Sequence, residues 1–406
     1  MTPAAALPGT RVYATAVASM LAVQILCSLA TQSIPVMAPV AAPALGVPKE
    51  WVGYFTALTY CTAILSAAAG GLLATRYGTI RVSQASLVLC GGALALFGGG
   101  SIWLLAPAAL VMGMGVGPPT PSSSQVLARV TPARFANITF SVKQTGVPLG
   151  NALAGVLAPA LIALWEWRSA SLAMCAMCVA LAVLLQPLRA TFDSTREGDG
   201  SLYAAISGLF GPVGRVWRAP DLRRLALASF VFTASQVGFG AFLVVYLVER
   251  IGLSLASAGL TLSIGLVSGA AGRIFWGLVA DRSRRPVATL AVMTIGMVAG
   301  ALAFAFSAPG WPWAAMVAAA VVFGSTAAGW GGVFFAEIAR RAGPGQVGAL
   351  TGGAQFFTFS GALLVPPAFS VLLASTGSYM ALFAALAAMN LVAGLSLLPL
   401  ARVEKA

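Results

Sequence analysis

The chain has 406 residues, 59% of them hydrophobic and 8% charged, with a mean hydropathy of +0.92. That is far more apolar than the roughly half-apolar usage of soluble domains, so a soluble globular protein is excluded. The net charge of +13 raises nucleic acid as a partner, but the cations fall in short connections between apolar runs, so basicity reports membrane topology and nucleic acid is set aside.

Apolar runs recur from end to end, each long enough to cross a hydrocarbon core of about 30 Å as a helix. The fold read from them is all-α and integral to the membrane, with twelve transmembrane helices in two pseudo-symmetric six-helix bundles. In chain order the spans fall at roughly 12–38, 51–73, 82–99, 102–127, 137–163, 168–187, 225–248, 256–279, 287–307, 311–335, 347–373 and 379–400. The opening MTPAAALPGTR lacks a basic segment ahead of a short apolar one, so the first run is a retained span. Residues 1–188 form an N-terminal half, 189–224 a cytoplasmic linker and 225–406 a C-terminal half. The linker holds DSTREGDG and then LYAAISGLFGPVGRVWR, which suits a short amphipathic segment on the inner membrane surface.

Both termini are placed in the cytoplasm, in a multi-pass protein of the cell (inner) membrane. Arg76, Arg81, Arg134, Arg189, Arg215, Arg282, Arg285 and Arg340 then face inward with most other cations, while Lys49, Arg168 and Arg250 face outward. Cys27, Cys61, Cys90, Cys175 and Cys178 lie within spans and offer no loop disulfide framework. Cys175 and Cys178 read as small packing residues, and Asn137-Ile138-Thr139 lies at a helix start, where glycosylation is not expected.

An internal repeat supports the division. LGVPKEWVG at 45–53 matches IGLSLASAG at 251–259 at an offset of 206, and the same offset sets GLLATRYG (71–78) on GLVADRSR (277–284). A further correspondence at a slightly different offset sets SVKQTG of the fifth span beside GAQFFTFSG of the eleventh, so that Lys143 falls opposite Gln355.

With twelve spans, two related halves and a G-x-x-x-D-R pattern after the second and eighth spans, the chain resembles the major facilitator superfamily of secondary transporters over essentially its whole length. The later copy keeps Gly277, Asp281, Arg282, Arg284 and Arg285. The resemblance implies a conformational latch there, in which the acid pairs with a helix end and basic residues and holds the outward-facing state. The first copy keeps Gly71, Arg76, Gly78 and Arg81 but has Thr75 in place of the acid. GVPLGNALAG resembles, in degenerate form, the fifth-helix motif of family antiporters. Physically, Gly146, Gly150 and Ala154 make a smooth face that lets a neighbouring backbone come close.

Charge at depth is the sharper signal. Lys143 lies about 13 Å along its helix from Arg134, and Arg273 about 12 Å from Asp281, at 1.5 Å per residue. A buried cation costs about 2.5–3.5 kcal/mol on insertion scales, so such residues usually face a cavity and serve transport. All ten acidic residues are expected in loops or at helix ends, leaving no deep carboxylate to pair with either cation. An anionic substrate is then the economical counter-ion: Arg273 offers a planar fork to a carboxylate and Lys143 a compact, protonation-sensitive charge. Arg273 also resembles the arrangement of the monocarboxylate and oxalate/formate branch. Gln24, Tyr60, Gln144, Gln236, Trp330 and Gln355 are further candidates to line the site. Pro118, Pro119 and Pro121 are expected to disturb the fourth helix near its cytoplasmic end.

The chain has no histidine and no glycine-rich phosphate loop followed by Lys-Ser/Thr, so an enzyme, a metal site and an ATP-driven pump are not expected, and no cofactor is assigned. The expectation is a monomeric secondary transporter in the lipid bilayer. It binds a small mono- or dicarboxylate near the midplane between its halves and works by alternating access as exchanger, uniporter or proton-linked symporter, with a proton or a counter-transported anion as second partner. A drug-efflux antiporter for hydrophobic or cationic compounds and a transport-dead membrane sensor remain as alternatives.

Overall fold

The computed structural model describes residues 9–48, 51–193, 210–343 and 345–404. Twelve helical segments among them are long and apolar enough to cross a membrane, one for each expected span. The described residues contain no strand. The molecule is a multi-pass membrane protein, and it divides into two compact units: residues 1–215 with 338–356, and residues 216–337 with 357–406.

In the first unit the first span (Thr10–Leu45) packs on the fifth, the third (Thr79–Gly98) on the sixth, and the second (Trp51–Tyr77) on the fourth. Glycine permits the closest of these approaches. A Cβ at Gly150 would lie 2.3 Å from the carbonyl oxygen of Ile25, and one at Gly146 would lie 2.8 Å from Cβ of Gln24, so the expected smooth face of the fifth span is pressed against the first. The lipid side of the fifth and sixth spans is apolar, with Val156, Leu164, Val183 and Leu184 exposed.

Two spans of this unit are broken, and proline accounts for both. The fourth consists of helices Leu105–Val116 and Pro119–Val130, so the interruption falls mid-span and not near one end as expected. Pro118, Pro119 and Pro121 cannot donate to the carbonyls four residues earlier, whereas a proline is well tolerated in the first turn of the helix that follows. The fifth consists of Ala136–Gln144 and Gly146–Leu164. Pro148 denies a donor to Gln144, and Thr145 closes the turn with bonds back to Ser141 and Val142.

In the second unit the same partners recur: the ninth span (Pro286–Phe306) packs on the twelfth (Tyr379–Val403), and the eighth (Leu255–Ser283) on the tenth (Trp313–Arg341). The eleventh (Val347–Thr376) approaches the seventh (Pro220–Glu249) where a Cβ at Gly361 would lie 2.2 Å from the Phe230 carbonyl oxygen. The tenth span is interrupted at 328–330, between Trp313–Ala327 and Gly331–Arg341.

The repeat extends to one feature that the sequence does not announce. Asp193 accepts hydrogen bonds from the backbone N–H of Ile80 (2.9 Å) and Arg81 (3.2 Å), closing the start of the third span. Glu404 does the same for Val287 (3.2 Å) and Ala288 (3.1 Å) at the start of the ninth. In each half, a carboxylate just beyond the sixth helix satisfies the orphan amides of the third. The turn before each capped helix has positive φ, 93° at Gly78 and 55° at Arg284.

Of the linker, residues 211–218 form a helix, with the Trp217 ring stacked 5.8 Å from that of Phe357. The remainder of the expected amphipathic segment, up to residue 209, lies outside the described residues.

Candidate functional site

Lys143 belongs to the short helix that ends at the fifth-span break, and only 2% of its surface is exposed. Its Nζ donates to Oε1 of Gln24 (2.7 Å), Oγ1 of Thr120 (3.1 Å) and Oε1 of Gln144 (3.2 Å). Three uncharged oxygens thus lie within hydrogen-bond reach of the ammonium. Thr120 also donates to Gln24 Oε1 (3.3 Å), and Gln24 Nε2 to Ser28 (3.4 Å), so the first, fourth and fifth spans share one polar cluster. Thr120 sits in the first turn of the Pro119–Val130 helix, at its positive end. Ammonium and helix N-terminus therefore converge, and both favour an anion.

Arg273 lies in the eighth span and is 5% exposed. Its neighbour Gly272 seats that helix against the tenth span, where a Cβ would come 2.3 Å from the Ser325 carbonyl oxygen. Trp276 follows three residues later on the same helical face, and its Cδ1 is 2.7 Å from where a Cβ on Gly329 would stand. Trp330, at the tenth-span break, is buried against Phe232 and Phe334. The two cations are thus each embedded in a different unit, beside an interrupted helix.

Gln24 and Gln144 join the Lys143 cluster as expected of lining residues. Gln355 is in the same unit, buried, with Oε1 receiving no hydrogen bond. Tyr60 and Gln236 are half-buried on the second and seventh spans. Sequence reasoning misses two participants. Thr120 sits in PPTPSSS, a stretch that stands out only for its prolines, and Trp276 carries no signal beyond its three-residue spacing from Arg273.

One expectation is corrected. The sequence puts Glu337 with the other acids in loops or at helix ends, yet it lies within the Gly331–Arg341 helix and is fully buried. Nearby Arg340 and Arg341 make the segment look like a surface terminus, but Val333, Phe334 and Phe335 of the same stretch are buried with it.

At the expected latch, a Cβ on Gly71 would overlap the backbone of Gly348 at 1.9 Å, so this glycine makes room for the start of the eleventh span. Gly78 makes room for Asp193, whose Cγ would lie 2.2 Å from such a Cβ. Thr75, in the acid's place, accepts from Gln125 Nε2 at 3.1 Å. The Arg76 guanidinium lies over the Tyr77 ring, and Arg81 is exposed. In the second copy Gly277 is buried, Asp281 half-buried in the last turn of its helix, and Arg282 and Arg285 exposed.

Comparison with known proteins adds the lineage. Residues 20–366 match the family model described as Major Facilitator Superfamily. A search of curated proteins found no match. Among solved structures, the chain is similar to the Escherichia coli fucose:proton symporter (17% identity, TM-score 0.73, covering 97% of this chain and 99% of that one). It is also similar to the human organic anion transporter MFSD10 (17%, 0.74, 96% and 100%) and to a bacterial homologue of the iron transporter ferroportin (17%, 0.76, 95% and 98%). At this identity the likeness is one of fold.

Proposed function

Since the chain belongs to the Major Facilitator Superfamily and so is a secondary transporter working by alternating access, we propose that its solute is a small organic anion, a mono- or dicarboxylate. The observation that carries this reading is Lys143. A buried ammonium is solvated by three uncharged oxygens beside a helix N-terminus, a position that disfavours positive charge and that an arriving anion would ease. Arg273, buried in the other unit, supplies a second cation of the geometry that carboxylates prefer. The likeness to a structure described as an organic anion transporter agrees with this reading, although the other similar structures are described as a fucose:proton symporter and a homologue of an iron transporter.

On this reading the protein resides in the cell (inner) membrane with both termini in the cytoplasm, and exchanges anions, conducts one alone, or couples one to a proton.

The test is uptake of radiolabelled acetate, lactate, oxalate and succinate into liposomes holding the purified protein. Lys143→Met is expected to abolish saturable uptake and Lys143→Arg to retain part of it. Uptake that survives Lys143→Met unchanged would remove the basis of the proposal.

A second reading, export of hydrophobic compounds, is favoured by one feature. An apolar cavity of about 490 Å³ lies in the first unit, lined by Ile34, Leu45, Trp51, Tyr54, Phe55 and Leu58. Efflux of a lipophilic cation that is indifferent to Lys143→Met would support that reading instead.

A further inference from the structure

The interruption of the tenth span gathers hydrogen-bond donors without acceptors. Trp330, its last residue, is 4% exposed, and its Nε1 is shielded from solvent with no hydrogen-bond partner. The ring is held by Phe232, Phe334 and Phe335, at centroid distances of 5.7, 5.5 and 6.4 Å, so the N–H cannot readily swing towards water. Trp276 reaches the same interruption from the eighth span. Its Cδ1, the carbon bonded to Nε1, lies against Gly329, and its Nε1 is likewise buried without an acceptor. Buried indole N–H groups normally find a partner, so two left unmet on residues that meet the same interruption call for an acceptor that arrives from elsewhere.

The backbone adds to this polarity. The Gly331–Arg341 helix begins at the interruption, and its first-turn amides and positive dipole end lie there. Gly331 and Gly332 carry no side chain to obstruct approach. Within the same unit, Arg273 stands one helical turn before Trp276.

We infer that the interruption of the tenth span is an oxyanion subsite, where a carboxylate oxygen of the solute accepts hydrogen bonds from the indole N–H groups of Trp276 and Trp330. This rests on the organic-anion reading and sharpens it. Lys143 answers to charge alone, whereas neutral, fixed N–H donors select an oxygen acceptor of defined direction. No covalent step is involved, and release follows when the interruption rehydrates.

The full-length protein, labelled with 15N-tryptophan in detergent micelles, presents nine indole signals. Trp276→Phe and Trp330→Phe identify the two concerned. Titration of the wild-type protein with acetate, oxalate or succinate is expected to move both signals downfield with a single saturation constant, and sodium chloride at equal ionic strength to leave them in place. In liposomes each Phe variant is expected to raise KM for the carried carboxylate about tenfold, the size of one hydrogen bond to a charged group, with little change in maximal rate.

A carboxylate that is carried in a Lys143-dependent manner while both indole signals stay fixed would overturn the subsite and leave the anion reading standing. Equal shifts with chloride would overturn the carboxylate assignment. Absence of binding and transport for every anion would overturn both. Should a Phe variant fail to fold, two of the nine wild-type signals moving together with carboxylate and not with chloride still support the subsite, and none moving overturns it.

Discussion

Thr120 offers its hydroxyl to an ammonium from the first turn of a helix, the end at which positive charge is disfavoured by about 0.3–1 kcal/mol. Without that hydroxyl, one proton of Lys143 loses an acceptor inside the protein, at a cost of about 1–3 kcal/mol. Thr120→Val keeps the shape and removes the oxygen. The expected result is a lower melting temperature for the ligand-free protein and a larger stabilisation by a bound carboxylate than in the wild type, because the anion supplies the missing acceptor. Melting curves with and without oxalate read both effects, and an unchanged anion-induced shift would separate Thr120 from the site. Lys143 is legible in the sequence because charge is scarce in an apolar run. Thr120 is not, since a hydroxyl among prolines serves equally as a backbone plug, and only the rotation of the fourth helix decides its partner.

At the level of elements, the paired carboxylate caps show how the two halves hold their third helices. Asp193 satisfies two amides at the start of the third span and also lies 3.7 Å from Arg189. Asp193→Ala is expected to cost about 1–2 kcal/mol, the range of a lost helix cap. Gly78→Ala is expected to cost more, since a side chain there meets Asp193 and is strained by a φ of 93° as well. In the double variant the collision with the carboxylate is relieved, but the Cβ of residue 193 still lies 2.5 Å from the new Cβ and the backbone strain remains, so a double-mutant cycle read by thermal denaturation should return a coupling that is real but incomplete. Arg284, at the equivalent turn of the second half, is accommodated because its φ of 55° lies in the left-handed helical well that ordinary residues can enter. Proline position reveals that the fourth span is disturbed. It does not reveal where, because three prolines close together withdraw donors from several preceding carbonyls at once and the chain breaks at whichever point neighbouring helices permit.

For the whole molecule, all twelve spans are legible because each is an apolar run of membrane length, and the repeat is legible because the same glycines recur at one offset. Burial of individual polar groups is not. Glu337 looks like an end residue by its arginine neighbours, and Trp276 like any apolar aromatic, because enclosure depends on which helices lie alongside. The orientation read from arginine placement yields its own test. Two exposed positions suit single cysteines in a cysteine-free background: Gly211 in the linker and Ala308 between the ninth and tenth spans. Gly211→Cys and Ala308→Cys are expected to react oppositely with a membrane-impermeant maleimide in intact cells, the first protected and the second labelled. Reversed labelling would invert the topology. The carboxylate caps also bear on the order of assembly. The start of the third helix waits 113 residues for its acceptor, and that of the ninth waits 117. The cap of each third helix is therefore closed only by a residue that follows the sixth helix of the same half, so neither half finishes assembling before its sixth helix has been made.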